Sequence, residues 1–352
     1  MKGRIPVALH LLALLVAAVC AYLVFNQGRD RTDKAGKTIL DAKPARLKSM
    51  AYDTGRKTVK VTPRQGGGYT LDITEQIRKP AKKIEPAPAL KSPDGGIADG
   101  AAAKKELKKP APLITETKRT SYRASKEFDK TLDRLLPLVA TRDLGQIDQE
   151  KIEKFGLNKA ERSFEVEVSG QKVRYTVGNQ AYGGATTYLR QEPDGPVFLV
   201  SSGLLRSLDI RSPRYLERRL VGLDKKEVEK IQVSILTKSR VLKQLPGKPR
   251  KWVADDSPDS KNDLFDNWVN NFFRMGAQKY LGPDKLPPLS NVASLQILKG
   301  GRPVDTVELA SAEGQDGKKD YYARSQHTGQ WVMLRRADAD GVVSDLPTVL
   351  EQ

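Results

Sequence analysis

The sequence predicts an α+β protein, with an N-terminal transmembrane helix followed by two related α/β units with mainly antiparallel sheets. Three observations predict this. Ile5–Phe25 is an apolar run broken only by His10. Beyond it, short stretches of alternating apolar and polar residues are separated by turn residues, with helical periodicity among them. The order of these elements then recurs about 130 residues further on.

The chain has 352 residues, enough for two domains of ordinary size. A hydrophobic content of 38% and a mean hydropathy of -0.52 describe a water-facing body, so membrane contact must be local. A net charge of +18 suits a surface that meets anionic lipid head groups, acidic envelope polymers or nucleic acid. Much of that charge lies in the first 130 residues, in stretches without a core pattern, and reads as a soluble tether. The one cysteine, Cys20, lies in the apolar run, which excludes an intrachain disulfide and a cysteine-based zinc site.

Residues 1–25 are expected to form the anchor. About 21 residues at 1.5 Å each give roughly 31 Å, the thickness of bilayer hydrocarbon. A cleaved signal peptide is the competing reading. No small-x-small site follows the run, because Tyr22-Leu23-Val24-Phe25 stays apolar to its end, and bulky Val19 argues against lipidation at Cys20. Lys2 and Arg4 flank one side, whereas Arg29, Arg31, Lys34, Lys37, Lys43, Arg46 and Lys48 flank the other. That count places the body in the cytoplasm. A short basic leader before an apolar run is instead the layout of an export signal, and export is the orientation expected here.

Residues 26–48 read as a polar stalk. The first α+β unit is expected over 49–222. Thr58–Thr62 and Tyr69–Ile73 alternate around Gln65-Gly66-Gly67-Gly68, a hairpin signal. Residues 78–120, rich in Lys, Pro and Ala, are expected to be a disordered insertion. A helix over Ser125–Leu138 follows from Phe128, Leu132, Leu135, Leu136 and Val139, with Ser125 as its cap. A shorter one over Asp148–Phe155 stops at Gly156. Strands are expected at Phe164–Val168, Val173–Val177, Thr186–Arg190 and Val197–Val200, then a helix from Ser212-Pro213 through Leu220.

The second unit, 223–352, repeats the plan. A hairpin over Glu229–Leu236 and Ser239–Trp252 precedes a helix over Lys261–Met275, with Leu264, Phe265, Trp268, Val269, Phe272 and Phe273 on one side. Strands follow at Ser294–Leu298, Val304–Leu309, Asp320–Arg324 and Trp331–Leu334. Phe164–Val168 aligns with Ser294–Leu298, and Tyr188-Leu189-Arg190 with Tyr322-Ala323-Arg324, each Arg seven residues before the next strand. An internal duplication is the expected origin.

No catalytic, cofactor-binding or metal-binding residue is assigned. Gly36-Lys37-Thr38 lacks the first glycine of a phosphate loop, since Arg31 occupies that place. His10 and His327 are the only histidines, which excludes a multi-histidine metal centre in the body. His327 is expected in an exposed turn. Asp255-Asp256-Ser257-Pro258-Asp259, with Asn262, Asp263 and Asp266, fails as a calcium loop because Ser260 replaces the required glycine. Those residues read mainly as helix caps. The basic tracts Lys79–Lys83 and Lys104–Lys109 lack interleaved aromatics, so no nucleic-acid module is expected.

Tyr182-Gly183-Gly184 leading to Tyr188-Leu189-Arg190, Val197-Phe198-Leu199-Val200 and then Tyr215–Leu220 resembles the domain-of-unknown-function family 4340. Phe155-Gly156-Leu157, Trp252 with Ser257-Pro258, and Leu264-Phe265-x-x-Trp268 are similar too. The resemblance covers the body from about residue 125 and the anchor, but not the Lys/Pro/Ala insertion. It implies a bacterial inner-membrane protein, single-pass, its body facing the periplasm, accompanying ABC transporters of the gliding-motility auxiliary type. The expectation is therefore a non-catalytic accessory subunit whose partners are the inner membrane and transporter subunits, with an anionic polymer or lipid as the alternative ligand.

Overall fold

The computed structural model describes residues 36–80, 113–210, 213–247, 249–258 and 263–351. The expected anchor, with His10 and Cys20, lies outside them, as do residues 81–112 of the insertion expected over 78–120. Among the described residues no helix is long and apolar enough to cross a membrane.

Strands β1 (Lys37–Leu40), β2 (Leu47–Asp53), β3 (Lys57–Pro63), β4 (Tyr69–Pro80) and β5 (Leu113–Arg123) open the described chain. Helix α1 (Lys126–Leu135) is followed by two short strands, β6 (Leu138–Ala140) and β7 (Arg142–Gly145). Helix α2 (Gln149–Lys154) leads into a meander of β8 (Ser163–Val168), β9 (Gln171–Gln180), β10 (Thr186–Gln191) and β11 (Val197–Ser201), which ends in the single-turn α3 (Ser202–Arg206). A second three-stranded stretch comprises β12 (Lys230–Ile235), β13 (Lys238–Leu245) and β14 (Lys251–Ala254), before α4 (Asp263–Arg274) and β15 (Ala277–Tyr280). A second meander of β16 (Ser290–Lys299), β17 (Arg302–Glu313), β18 (Lys319–Arg324) and β19 (Val332–Leu334) precedes α5 (Arg336–Glu351). The sheets are mainly antiparallel and the class is α+β.

These elements form two compact units, each assembled from separated stretches. The first comprises the described residues up to Leu47 together with Thr131–Asp209. Its strands β8 to β11 pair in chain order, β7 adds to β11, and β1 pairs with β6. Alternation in β8 turns Phe164, Val166 and Val168 inward, where they are buried. Asp148 caps α2 by accepting from the Lys151 backbone N–H at 2.9 Å, and Gly156 ends it at φ 69°. At Gly178 an added Cβ would fall 2.5 Å from the Phe155 carbonyl oxygen, so only glycine lets β9 approach the end of α2 this closely.

The second unit comprises Lys48–Lys130 and Ile210–Gln352. It holds the meander β2-β3-β4-β5 and an eight-stranded sheet in the order β14-β13-β12-β16-β17-β18-β19-β15. Phe265, Trp268, Val269 and Phe272 of α4 are buried, as are Ala339, Val342, Leu346 and Val349 of α5. The Trp268 indole N–H donates to the Val342 carbonyl at 3.0 Å and ties the two helices together.

Several expectations need correction. Residues 78–80 and 113–120 of the expected 78–120 insertion are ordered, because β4 and β5 form one antiparallel ladder from Thr70↔Arg123 out to Pro80↔Leu113. Backbone pairing orders a stretch whose sequence shows no alternating apolar pattern. The expected stalk carries β1 and the start of β2 from residue 37 onward. The expected Ser212–Leu220 helix is only a 3-10 turn at Pro213–Tyr215, with residues 211 and 212 outside the described set. The chain then runs extended, bridged at Leu216 to Ala124 and at Arg219 to Gly276. Ser125 does not cap α1, since its hydroxyl is buried without a hydrogen-bond partner.

The repeated order is visible in the elements. Three antiparallel strands, a helix, a return strand and a four-stranded meander occur as β2–β4, α1, β7 and β8–β11, with β5, β6 and α2 added between them, and again without those additions as β12–β14, α4, β15 and β16–β19. In both, the return strand pairs with the last strand of the meander. The expected alignment of Phe164–Val168 with Ser294–Leu298 is one residue out of step. Phe164 and Val166 are buried, whereas in β16 it is Leu295 and Ile297 that point inward, with Ser294 and Gln296 facing away.

Candidate functional site

The described acidic residues before and within the first turn of α4 each have a partner. Asp255 pairs with Lys230 at 2.7 Å, Asp256 with Arg240 at 3.0 Å and Asp263 with Lys251 at 3.2 Å. Asp266 accepts the Trp252 backbone N–H at 2.7 Å. Asp259, Ser260 and Asn262 lie outside the described residues. Among those described, no group of His, Cys, Asp and Glu is arranged to hold a metal ion. The two Tyr-x-Arg strands behave as sheet-covering pairs. Tyr188 stacks on Phe155 at 3.9 Å and Arg190 reaches Asp194 at 2.9 Å, while Arg324 pairs with Glu308 at 2.7 Å and lies over the Trp331 ring at 5.1 Å.

An unexpected polar centre forms in the second unit around Glu217. Its backbone N–H donates to the Arg123 carbonyl at 2.9 Å, and its own carbonyl accepts from the Tyr280 hydroxyl at 3.0 Å. Because the segment is extended, Glu217 and Arg219 share a face. The carboxylate accepts the Arg219 backbone N–H at 3.0 Å and its guanidinium at 3.2 Å. His327 Nε2 stands 3.6 Å away, beyond hydrogen-bond distance. His327 is in a turn as expected, but its side chain is only 8% exposed. A Cβ at Gly222 would fall 2.7 Å from its Nδ1, so that glycine leaves room for the ring.

Burial alone would push the Glu217 carboxyl up, but His327 and then Arg219 outweigh it and hold it at about 2. A carboxylate so committed stays ionised at neutral pH and is a poor proton acceptor. Burial, and then the Glu217 charge, push the Tyr280 phenol well above its ordinary range. Burial also raises Asp305, which accepts the Thr306 and Gln326 backbone N–H groups at 2.8 and 2.9 Å. The turn carrying His327 is closed by a reciprocal pair of 3.0 Å bonds between Ser325 and Thr328, and the Ser325 hydroxyl donates to the Leu220 carbonyl at 2.6 Å. These groups lock the turn in place.

On the other side of that turn a recess of about 210 Å³ is lined by Arg64, Thr70, Ser121, Tyr122, Arg123, Thr328, Gly329 and Gln330. Arg64 follows β3 in the glycine turn, and Arg123 ends β5. The Arg123 guanidinium donates to the His327 carbonyl at 3.1 Å and the Gly67 carbonyl at 3.2 Å. Arg64 reaches the Thr328 carbonyl at 3.5 Å. Burial, and then the charge of Arg123, lower the Arg64 guanidinium from its usual range. Neither arginine was singled out by the sequence. A lone arginine after a strand and another at a strand end carry no spacing signal, and only the tertiary fold brings them to one recess.

No curated protein and no solved structure matches the chain. A family model described as "Domain of unknown function (DUF4340)" matches residues 114–291. The match runs from the start of β5 to the start of β16 and takes in Arg123, Glu217, Arg219 and Tyr280, while Arg64 and His327 lie outside it. The matched segment is half of the chain and contains most of the motifs that suggested the same assignment, so the protein belongs to the DUF4340 family.

Proposed function

We propose that this chain is a membrane-anchored, non-catalytic envelope protein, an accessory subunit of an ABC-transporter-type complex of the gliding-motility auxiliary kind. Ile5–Phe25 would hold it in the bacterial inner membrane, with the body in the periplasm. The apolar run of that segment carries the reading, and membership of DUF4340 supports it. The repeated element order supports a duplicated module as the body's origin. The polar centre around Glu217 is consistent with a structural role, because its carboxylate is committed to Arg219 and His327.

The test joins topology to partnership. A reporter fused after Gln352 should be active only in the periplasm, and crosslinking in intact membranes should recover the chain with transporter subunits. A cytoplasmic reporter, or a chain recovered alone after gentle detergent extraction, would overturn the reading. The net charge of +18 favours a second reading, a module that binds anionic envelope polymer or lipid head groups. Retention on such a polymer should then fall steeply as salt is raised, because screening shortens the reach of surface charge.

A further inference from the structure

We propose that the recess between Arg64 and Arg123 binds a phosphate-class oxyanion, either a phosphate ion or the phosphomonoester of a lipid head group. This site stands apart from the transporter reading, since it uses neither the anchor nor a protein partner. Four observations carry it.

First, two guanidinium groups line one small recess, and among the described residues neither has a carboxylate partner. Keeping like charges together without an anion is unfavourable, and an incoming anion relieves it. Second, the groups are pre-positioned. Arg123 is held by two backbone carbonyls and Arg64 by a third, which leaves further N–H donors on each five-donor fork. Third, the walls are fixed. The turn of Ser325–Thr328 is closed by buried hydroxyls, and the Gln330 amide donates to the Ser121 carbonyl at 2.8 Å. Gly329, at φ 73°, lacks the Cβ that would stand 2.8 Å from an Arg64 terminal nitrogen. Fourth, the hydroxyl-bearing residues Thr70 and Ser121 are part of the same lining.

The charge chooses the ligand class. A phosphate monoester carries about -1.5 to -2 at neutral pH and matches two arginines, whereas a monocarboxylate matches one. Three oxygens also give the paired forks and the two hydroxyls enough acceptors. A recess of about 210 Å³ suits a single phosphoryl group, with whatever it is attached to remaining outside.

The experiment uses the full chain in neutral detergent micelles, titrated with inorganic phosphate and, at equal ionic strength, with acetate. Saturable binding of phosphate that acetate does not reproduce is expected, and Arg64→Gln should weaken it about tenfold through loss of one bidentate, charged partner. Arg64 holds the turn by one long bond only, so this variant should keep the wild-type circular dichroism. Should it not, the double variant Thr70→Val, Ser121→Ala, which leaves both guanidinia, carries the test and should also weaken binding. No saturable phosphate binding, equal responses to phosphate and acetate, or a folded variant that binds as the wild type does would each overturn the proposal. A second arm compares vesicles containing phosphatidic acid with vesicles of equal charge containing phosphatidylglycerol. Preferential retention on phosphatidic acid that Arg64→Gln abolishes identifies the head group as the source. Equal retention on both, with phosphate binding intact, identifies the free ion.

Discussion

Glu217 keeps its charge in a place where burial would otherwise remove it, and the consequence is a defined pH dependence. Its carboxyl falls from the ordinary 4.5 to about 2 on folding, so the ionised form is favoured by the folded state. The resulting stabilisation is present above about 4.5 and is lost as the pH falls towards about 2. Replacing it by Gln should therefore cost about 1–3 kcal/mol at pH 7, the range for a part-buried donor, here Arg219, that loses its ionised acceptor. Urea unfolding of both proteins at pH 7 and at pH 2.5 checks this, because the gap should shrink at the lower pH. A gap that does not change with pH would refute the ionic account. Little of this centre was legible beforehand. Tyr215, Leu216 and Leu220 have helical spacing, and in a helix residues two apart do not face each other. Only the bridges to Ala124 and Gly276, made by residues distant in sequence, draw the segment out and bring Glu217 beside Arg219. His327 likewise reads as an exposed turn residue until the space left by Gly222 is known.

At the level of elements, legibility followed burial on one face. α1, α4 and the two meanders alternate or repeat with a buried side, and each was expected close to where it lies. Two of the elements that escaped did so for opposite reasons. β5 presents mostly polar residues from Thr115 to Arg119, all exposed, so no apolar rhythm marks it. Its pairing with β4 is the only thing that makes it a strand. α5 does have a buried stripe, Ala339, Val342, Leu346 and Val349 at intervals of three and four, but Gly341 and Pro347 interrupt it with residues that usually end helices. Both are exposed, away from the stripe, where they leave the packing undisturbed. Leu346→Ala should cost about 2–4 kcal/mol, as expected for a fully buried leucine. It should also loosen the Trp268–Val342 hydrogen bond and shift tryptophan emission to the red. Unaltered denaturant midpoint and emission would mean that α5 adds nothing to the core.

For the whole molecule, the compact units are not continuous in sequence. Each compact unit draws on two stretches of sequence, and the chain passes between them near residues 47, 130 and 209. Local pattern reports elements in order and is blind to which distant stretch completes a core, so boundaries of this kind are not written in periodicity. The β4–β5 ladder has its own consequence at this scale. Pro80 and Leu113 are cross-strand neighbours, so residues 81–112 leave and return at one point. Closing such a loop costs only about 0.6 kcal/mol more for each doubling of its length. Exchanging those residues for a two-residue Asn-Gly turn should leave thermal stability unchanged or raise it by up to about 2 kcal/mol. A fall would mean that the exchanged residues contribute to the body. The ladder therefore offers a splice port: an epitope, an affinity handle or a fluorescent domain can be inserted there while both chain ends keep their native sequence.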